Sequence, residues 1–459
     1  MRRRDFVAAS AALPFLLDGA RVQEALPTID TLAARAMAAG RMPGLGLAVT
    51  RGGETLLAKG YGRASLAFDA PVNERTRFQI GSLAKAFTAT GVLMLVEAGR
   101  VDLNQPIGDY VRDLPEAWRA PSVRRVLTHT SGLPAYDLDD DFWDRPLPRA
   151  ELIRRAGAAL YFEPGRSFLY SNTGYCVLGW LIEDVSGQGY SDFIRERIIA
   201  PLGMEDARGD DAEAVIEGRA EPSLYDNGWR HAVRMSRDVS ATGDGGILCS
   251  ARDYTRWLLE MRAPTLLSPG AAANLREPAT LTSGRGYPYS MGWDVESVRG
   301  RMFWAHSGSV PGVTSFARHD GETGVFLSTN CEAPGMTGRL RALAGEIVEA
   351  LAPQTTEFSL PPMRDRAPHL TQRARDVLTR GEAPIDRAWL AEDLLPLLDT
   401  PQPEEAAPSF EGVAGLALVE DGRALGVRVR RYRLTFDDGR IATVRAGTLS
   451  DGRIAWMVR

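Results

Sequence analysis

The stretch from Ser82 to Ala98 is apolar on nearly every side. Leu83, Ala84, Phe87, Val92, Leu93 and Leu95 fall all round a helix of 3.6 residues per turn. A helix of this kind has no face to turn to water, so the chain must build layers around it. Gly99 is the natural place for it to stop. Strand-like runs flank it in sequence. Leu45–Val49 and Thr55–Ala58 enclose a Gly52-Gly53 turn, a hairpin signal. Strand patterns return at 287–294, 302–307, 313–318 and 324–330, and the pattern between about 104 and 260 is mostly helical. The expected fold class is α/β: a sandwich whose sheet pairs the two ends of this region, with a helical insert between them.

The remaining segments read differently. Residues 353–368 are Pro-rich and are expected to be a linker. After them come two short helical patterns (about 370–380 and 386–398) and a second Pro-rich stretch from Thr400 to Pro408. Three Asp-Gly pairs, at 421, 438 and 451, then separate runs of β-formers, the pattern of a four-stranded antiparallel meander. Its apolar phase slips between Val429 and Tyr432, which suggests a bulge near Arg430-Arg431. Residues 369–459 are thus expected to form a small α+β domain. At the other end, Arg2-Arg3 precedes an apolar run from Phe6 to Leu17. That run is shorter than the roughly 20 residues a membrane span needs. Residues 1–25 read as a twin-arginine export signal, which makes the mature protein, 26–352 followed by the linker and the small domain, periplasmic with no membrane span.

Charge and cysteines narrow the partners. The formal net charge is -5, so there is no general basic field for nucleic acid. Cys176, Cys249 and Cys331 are too few and too widely spaced for a disulfide framework, and Cys176 lies in an apolar helical run, the place of a core residue; a single pairing stays open. The five histidines form no metal-ligand pattern, so neither a metal nor another cofactor is expected. No G-x-S-x-G elbow, P-loop or dinucleotide fingerprint occurs.

One bias points to chemistry. Of 54 basic residues only Lys59 and Lys85 are lysine. A lysine that persists among arginines invites the question of what a guanidinium could not do there. Lys85 follows Ser82 by three residues, so both lie on one helix face, with Cβ atoms about 5–6 Å apart. A hydroxyl needs a base to become a nucleophile. An amine can serve and a guanidinium cannot. Lys59 stands before Gly60 with no motif around it. Two further elements carry suitable groups. Tyr170-Ser171-Asn172 follows the turn Phe162-Glu163-Pro164-Gly165 along what reads as an exposed approach. A phenol beside an ammonium is expected to have a lowered pKa, and Asn172 to meet a substrate amide. His306-Ser307-Gly308-Ser309 ends a strand, where Gly308 would let a ligand backbone approach and the amides of Ser82 and Ser309 could form an oxyanion hole.

Ser82-Leu83-Ala84-Lys85, Tyr170-Ser171-Asn172 and His306-Ser307-Gly308, in this order, resemble the serine β-lactamase/penicillin-binding-protein superfamily, most closely its class C-like branch of esterases, D-aminopeptidases and DD-peptidases. The runs Leu127 to Pro134, Pro201 to Met204 and Gly243 to Gly246 fit the same branch, and the likeness covers about residues 27–350. The resemblance implies a β-lactamase/transpeptidase-like fold, an antiparallel sheet flanked by helices with a helical subdomain. It implies Ser82 as nucleophile, Lys85 and Tyr170 as proton relay, and Asn172, His306, Gly308 and Ser309 as the groups that hold the acyl portion and its oxyanion. The segment from Gly381 onward is similar to small nuclear-transport-factor-like or cystatin-like domains and implies no chemistry, only a structural or lid-like part.

His306 marks a departure. Class C β-lactamases and many penicillin-binding proteins have Lys there, a cation for a substrate carboxylate; a histidine is mostly neutral at pH 7. The expected activity is therefore hydrolysis of a small-molecule ester, amide or peptide through an acyl-serine, ahead of β-lactam hydrolysis or DD-carboxypeptidase action. A non-catalytic peptidoglycan-binding relative is the alternative from another class. The acidic loop Asp137, Asp139, Asp140, Asp141 and Asp144 offers one place to meet a cationic substrate, and loops around 137–146, 225–240 and 285–290 are expected to build the pocket.

Overall fold

A computed structural model describes residues 19–458 apart from 137–142, 212, 234, 237–241, 354, 402–409 and 438–439. The twin-arginine stretch, Asp137 to Asp141 of the acidic loop and the Asp438-Gly439 turn lie outside the described residues. A central antiparallel sheet is built from β1 (Gly44–Arg51), β2 (Glu54–Gly62), β3 (Asp294–Val298), β4 (Arg301–Val310), β5 (Val313–His319) and β6 (Thr323–Thr329), in the order β3-β4-β5-β6-β1-β2. Leu47 of β1 pairs with Lys59 on one side and Leu327 on the other, so the sheet does close the two ends of this region against each other. The helices used below are α1 (Gly19–Gly40), α2 (Ala84–Glu97), α3 (Asn172–Ser186), α4 (Ala251–Arg262), α5 (Met336–Leu351) and α6 (Pro368–Leu378). None among the described residues is long and apolar enough to cross a membrane.

The period of two along β1 sorts its residues between two cores. Leu45, Leu47 and Val49 join Ile29 and Ala33 of α1 and Leu340, Leu343 and Ile347 of α5. Gly46 and Ala48 point the other way, where space is short: a Cβ at Gly46 would lie 2.9 Å from the Phe78 ring. On that side α2 is buried along most of its length and Phe87 stacks on Trp257 of α4, ring centroids 3.8 Å apart. Each such buried aromatic or aliphatic side chain contributes about 1.5–3 kcal/mol. Gly99, at φ +68, ends the helix as expected.

Other expectations need correction. The strand at 287–294 is two pieces, Gly286–Tyr287 and the start of β3, because Pro288 and Gly292 interrupt it. Gly292 takes φ +86 and lies where a Cβ would be 2.7 Å from the Ala86 nitrogen, so the chain turns there against the start of α2. The stretch 353–368 is no free linker: Thr356 and Glu357 are fully buried, and Arg318 pairs with Glu357 at 3.3 Å. Residues 386–398 form two short 3-10 segments, Arg387–Trp389 and Leu395–Asp399, instead of a helix. All three cysteines are free and buried.

The C-terminal meander is present as β7 (Val413–Ala424), β8 (Val427–Phe436), β9 (Ile441–Thr448) and β10 (Ile454–Val458), with α6 packed against it. Its first turn is Leu425-Gly426, both at positive φ, while Asp421-Gly422 lies within β7. The bulge lies on the partner strand: Leu418 pairs with Tyr432 and Glu420 with Arg431, leaving Val419 extra. Arg430 and Arg431 are both buried, facing opposite sides. Arg430 donates to Ala367 O at 3.0 Å and pairs with Asp365; Arg431 donates to Ser297 O at 2.6 Å and pairs with Glu420 at 3.2 Å. The meander is not a tethered appendage. Phe162 and Leu169 of the first domain sit in its core, and Phe168, Tyr287 and Tyr289 share a cluster with Val427, Ala455 and Trp456.

Candidate active site

Ser82 sits in a 3-10 turn (Gly81–Leu83) that runs directly into α2, and Lys85 occupies the first turn of that helix. Lys85 is fully buried. Its Nζ lies 3.0 Å from Ser82 Oγ, 2.8 Å from Asn172 Oδ1 and 2.8 Å from Asp244 O. Three hydrogens of an ammonium thus find three acceptors converging on one atom. A planar guanidinium, larger and fork-shaped, does not fit that geometry. Asn172 is held because Ser171 caps α3, accepting from Gly174 N at 3.1 Å. Its carbonyl oxygen accepts from Lys85.

Tyr170 precedes the cap, with Lys85 Nζ 4.9 Å from its ring centroid. The approach to it is covered, not exposed: Ser167, Phe168 and Leu169 are buried. The expected lowering of its pKa is reversed. Burial pushes the phenol well above its usual value, and the hydrogen-bonding influence of Ser82 opposes this only in part.

His306 is buried, and both of its nitrogens are engaged by the protein. Nδ1 lies 2.6 Å from Ser307 O, and Nε2 lies 3.2 Å from the Tyr289 hydroxyl. The same hydroxyl is 3.2 Å from His129 Nε2, and His129 Nδ1 accepts from Ser171 N at 3.1 Å. With both rings neutral, the Ser171 amide at one end and the Ser307 carbonyl at the other set the hydrogens of the chain. His129 Nδ1 is bare, so Nε2–H donates to Tyr289; Tyr289 donates to His306 Nε2; His306 Nδ1–H donates to Ser307 O. Both rings are neutral. Burial, reinforced by Lys85, holds His306 down at about 3 and His129 well below its usual value. His306 is thus a buttress between strands, not a cationic hook.

Gly308 also has a role other than the one expected. A Cβ there would lie 2.1 Å from Ile80 O, so the glycine admits the protein's own backbone instead of a ligand's. The contact brings the Ser309 amide against the Ser82 turn: a Cβ on Gly81 would be 3.0 Å from Ser309 N. Ser82 and Ser309 line one cleft of about 330 Å³, together with Tyr170, Tyr289, His306 and Asp294. Ser307 and Pro288 also line it, and its apolar part includes Val458 of β10 as well as Phe168, stacked on Tyr287 with centroids 3.8 Å apart. Of the loops expected to build the pocket, 285–290 does so. The described part of the acidic loop, Asp144, is not among the lining residues.

Sequence reasoning passed over several residues that matter here. His129 and Asp244 lie in runs that carried the family likeness, yet no role attached to them. Tyr289, Asp294 and Val458 gave no signal, because their importance comes from which strands the fold brings together. Among the described residues, no group of three His, Cys, Asp or Glu could hold a metal ion.

A serine turn entering a buried helix, a lysine three residues on, a Tyr-x-Asn cap and a His-x-Gly strand define a protein of the serine β-lactamase and penicillin-binding type. The chain belongs to the β-lactamase family, whose model matches residues 29–350. It is 27% identical to penicillin-binding protein 4* of Bacillus subtilis over 58% of this chain and 62% of that protein. The curated relatives it matches are thus spanned over only about three fifths of their length. Among solved structures, the D-amino acid amidase of Ochrobactrum anthropi superposes with a TM-score of 0.63 at 26% identity, covering 72% of this chain and 98% of that one. The octameric penicillin-binding protein homologue from Pyrococcus abyssi, at 22% identity and TM-score 0.62, shares the fold over 94% of both chains.

Proposed function

We propose that the protein is a serine hydrolase that cleaves an amide or ester bond through an acyl-serine. The convergence of Lys85 on Ser82, Asn172 and Asp244 O carries this reading. Ser82 Oγ accepts from Lys85, which leaves its own proton facing Tyr170. In the form of the Lys85–Tyr170 pair that has first given one proton to solvent, the pair takes that proton as Oγ bonds to the substrate carbonyl carbon, and passes it to the leaving amine or alkoxide as the carbonyl–heteroatom bond breaks. The amides of Ser82 and Ser309 receive the charge on the carbonyl oxygen. Water then repeats the sequence on the acyl-enzyme, with the same pair as base and Ser82 as leaving group. Kinship with a D-amino acid amidase favours amide or ester substrates. The neutral, saturated His306 counts against substrates held by a carboxylate, which sets β-lactams and peptidoglycan C-termini behind them. Export through the twin-arginine segment to the periplasm is part of this reading.

A fluorophosphonate probe tests it. Labelling of the native chain at Ser82, abolished in Ser82→Ala at an unchanged melting temperature, is the expected result. Absence of labelling together with full turnover by Ser82→Ala would overturn it.

A further inference from the structure

His306 has both nitrogens committed to the protein, and Lys85 is turned to Ser82, Asn172 and Asp244. No Arg or Lys lines the cleft among the described residues. What lines it instead is a carboxyl. Asp294 opens β3, bridges to Tyr289, and shares the cleft wall with Ser82 and Ser309. Its backbone pairs with Ala305 and Tyr289, while its side chain makes no hydrogen bond or ion pair with any described residue. The groups that face it are Arg341 from α5 and Arg445 from β9, with Glu296 farther along its own strand. Those arginines are already drawn to Glu296: Arg341 pairs with it, and Arg445 lies 3.7 Å from it. Asp294 is therefore left as an ionisable group in the wall of the cleft, which it shares with the aromatic residues Tyr170 and Tyr289.

Building on the hydrolase reading above, we infer that Asp294 anchors a primary ammonium on the acyl portion of the substrate, so that the cleft selects aminoacyl amides or esters with an apolar side chain. Phe168, Tyr287 and Val458 supply the apolar wall for that side chain. A lone carboxyl here is costly: burial pushes Asp294 up to about 7, and an ammonium at hydrogen-bond distance would return it to the charged form. The charge preference of this cleft is the opposite of one with Lys in the His306 position.

The test compares binding of 2-phenylethylamine and 3-phenylpropanoate to the native chain, to Asp294→Asn and to Asp294→Glu by calorimetry at pH 8, with melting temperatures as a check on folding. The native chain should bind the amine at least tenfold more tightly than the carboxylate. Asp294→Asn should erase that preference, and Asp294→Glu should keep part of it. In parallel, the preference for phenylalanine p-nitroanilide over its des-amino analogue should fall at least tenfold in Asp294→Asn. Equal binding of amine and carboxylate by the native chain, or an undiminished preference in Asp294→Asn, overturns the inference. Amine binding as expected, with no turnover of either anilide and no labelling of Ser82, overturns the hydrolase reading instead and leaves the anchor standing.

Discussion

Lys85 lies 3.0 Å from Ser82 through the first turn of α2, while Lys59 lies 2.8 Å from Asp30 on the surface of β2. The Lys59 pair is half-exposed on both sides, and such pairs contribute roughly 0–1 kcal/mol. Lys59→Arg should leave kcat/KM within about twofold and the melting temperature nearly unmoved. Lys85→Arg should lower kcat/KM by a factor on the order of 10³ or more and abolish fluorophosphonate labelling, because a guanidinium neither fits the three acceptors nor releases a proton. Similar activity in the two variants would refute the role given to Lys85.

Gly308 supports Ile80 O and, through it, the position of the Ser309 amide. Gly308→Ala should destabilise the chain by about 1–3 kcal/mol, the usual cost of overpacking, and lower kcat by about 10²-fold or more as the oxyanion donor shifts. Chemical denaturation and steady-state kinetics check the two effects separately. A variant of normal stability with normal kcat would show that the close approach is not needed.

The Tyr289 hydroxyl is the shared atom of the two-histidine chain. Tyr289→Phe leaves His129 Nε2–H and His306 Nε2 buried without partners, at about 1–3 kcal/mol of stability. Nitrogen-15 NMR of the two imidazoles should show His129 holding its proton on Nε2 and His306 on Nδ1 in the native chain, and a mixture for His306 in the variant. The same tautomers in both would remove Tyr289 from the chain.

Asp294 and Tyr170 set two pH dependences of different sign. The Asp294 carboxyl has its folded value raised from 3.8 to about 7. The folded state is therefore favoured at or below about pH 4, and that advantage is lost as pH rises to about 7. Asp294→Asn removes the effect, so the stability difference between variant and native chain should grow in the variant's favour between pH 4 and 8. For Tyr170, burial makes the reactive, deprotonated relay scarcer at neutral pH. Turnover of an uncharged ester should therefore rise with pH through the neutral range. A stability difference that does not change with pH, or turnover that falls above neutrality, would contradict these assignments.

Glu296 joins the domains. It is fully buried in β3 and faces Arg341 of α5 together with Arg431 and Arg445 of the meander, at 3.6 and 3.7 Å from the last two. Burial alone would raise its pKa, and the arginines outweigh this and hold it well below the usual carboxylate range. Glu296→Gln leaves buried guanidinium groups uncompensated and should cost about 3–5 kcal/mol. Limited proteolysis should then release the meander before the hydrolase domain unfolds. Cooperative loss of both domains at native stability would rule this out.

The central helix, the β1–β2 hairpin and the Ser82–Lys85 spacing could be read from the chain because each is a local pattern: apolar periodicity, a Gly-Gly turn, residues three apart. The corrections have a common cause. Glu357 and Phe168 read as solvent-facing because no local pattern says that a distant segment will cover them. Arg430-Arg431 signalled a bulge, but β8 runs in unbroken register with β9 and buries apolar residues on both faces, and the extra residue lies across the ladder at Val419. His306 and Gly308 were noticed for their chemistry, yet the fold occupies one with Tyr289 and the other with Ile80. Asp294 gave no sign at all, since a single acid at the start of a strand looks like any surface carboxylate.

Val458 belongs to the last strand of the meander and stands in the wall of the cleft that holds Ser82. On a ribosome these two ends of the site emerge far apart in time. The helix, the lysine and the tyrosine are all made long before Ile454–Val458 is available to dock. A chain cut before Ile454 would lack the Val458 part of the wall beside Ser82.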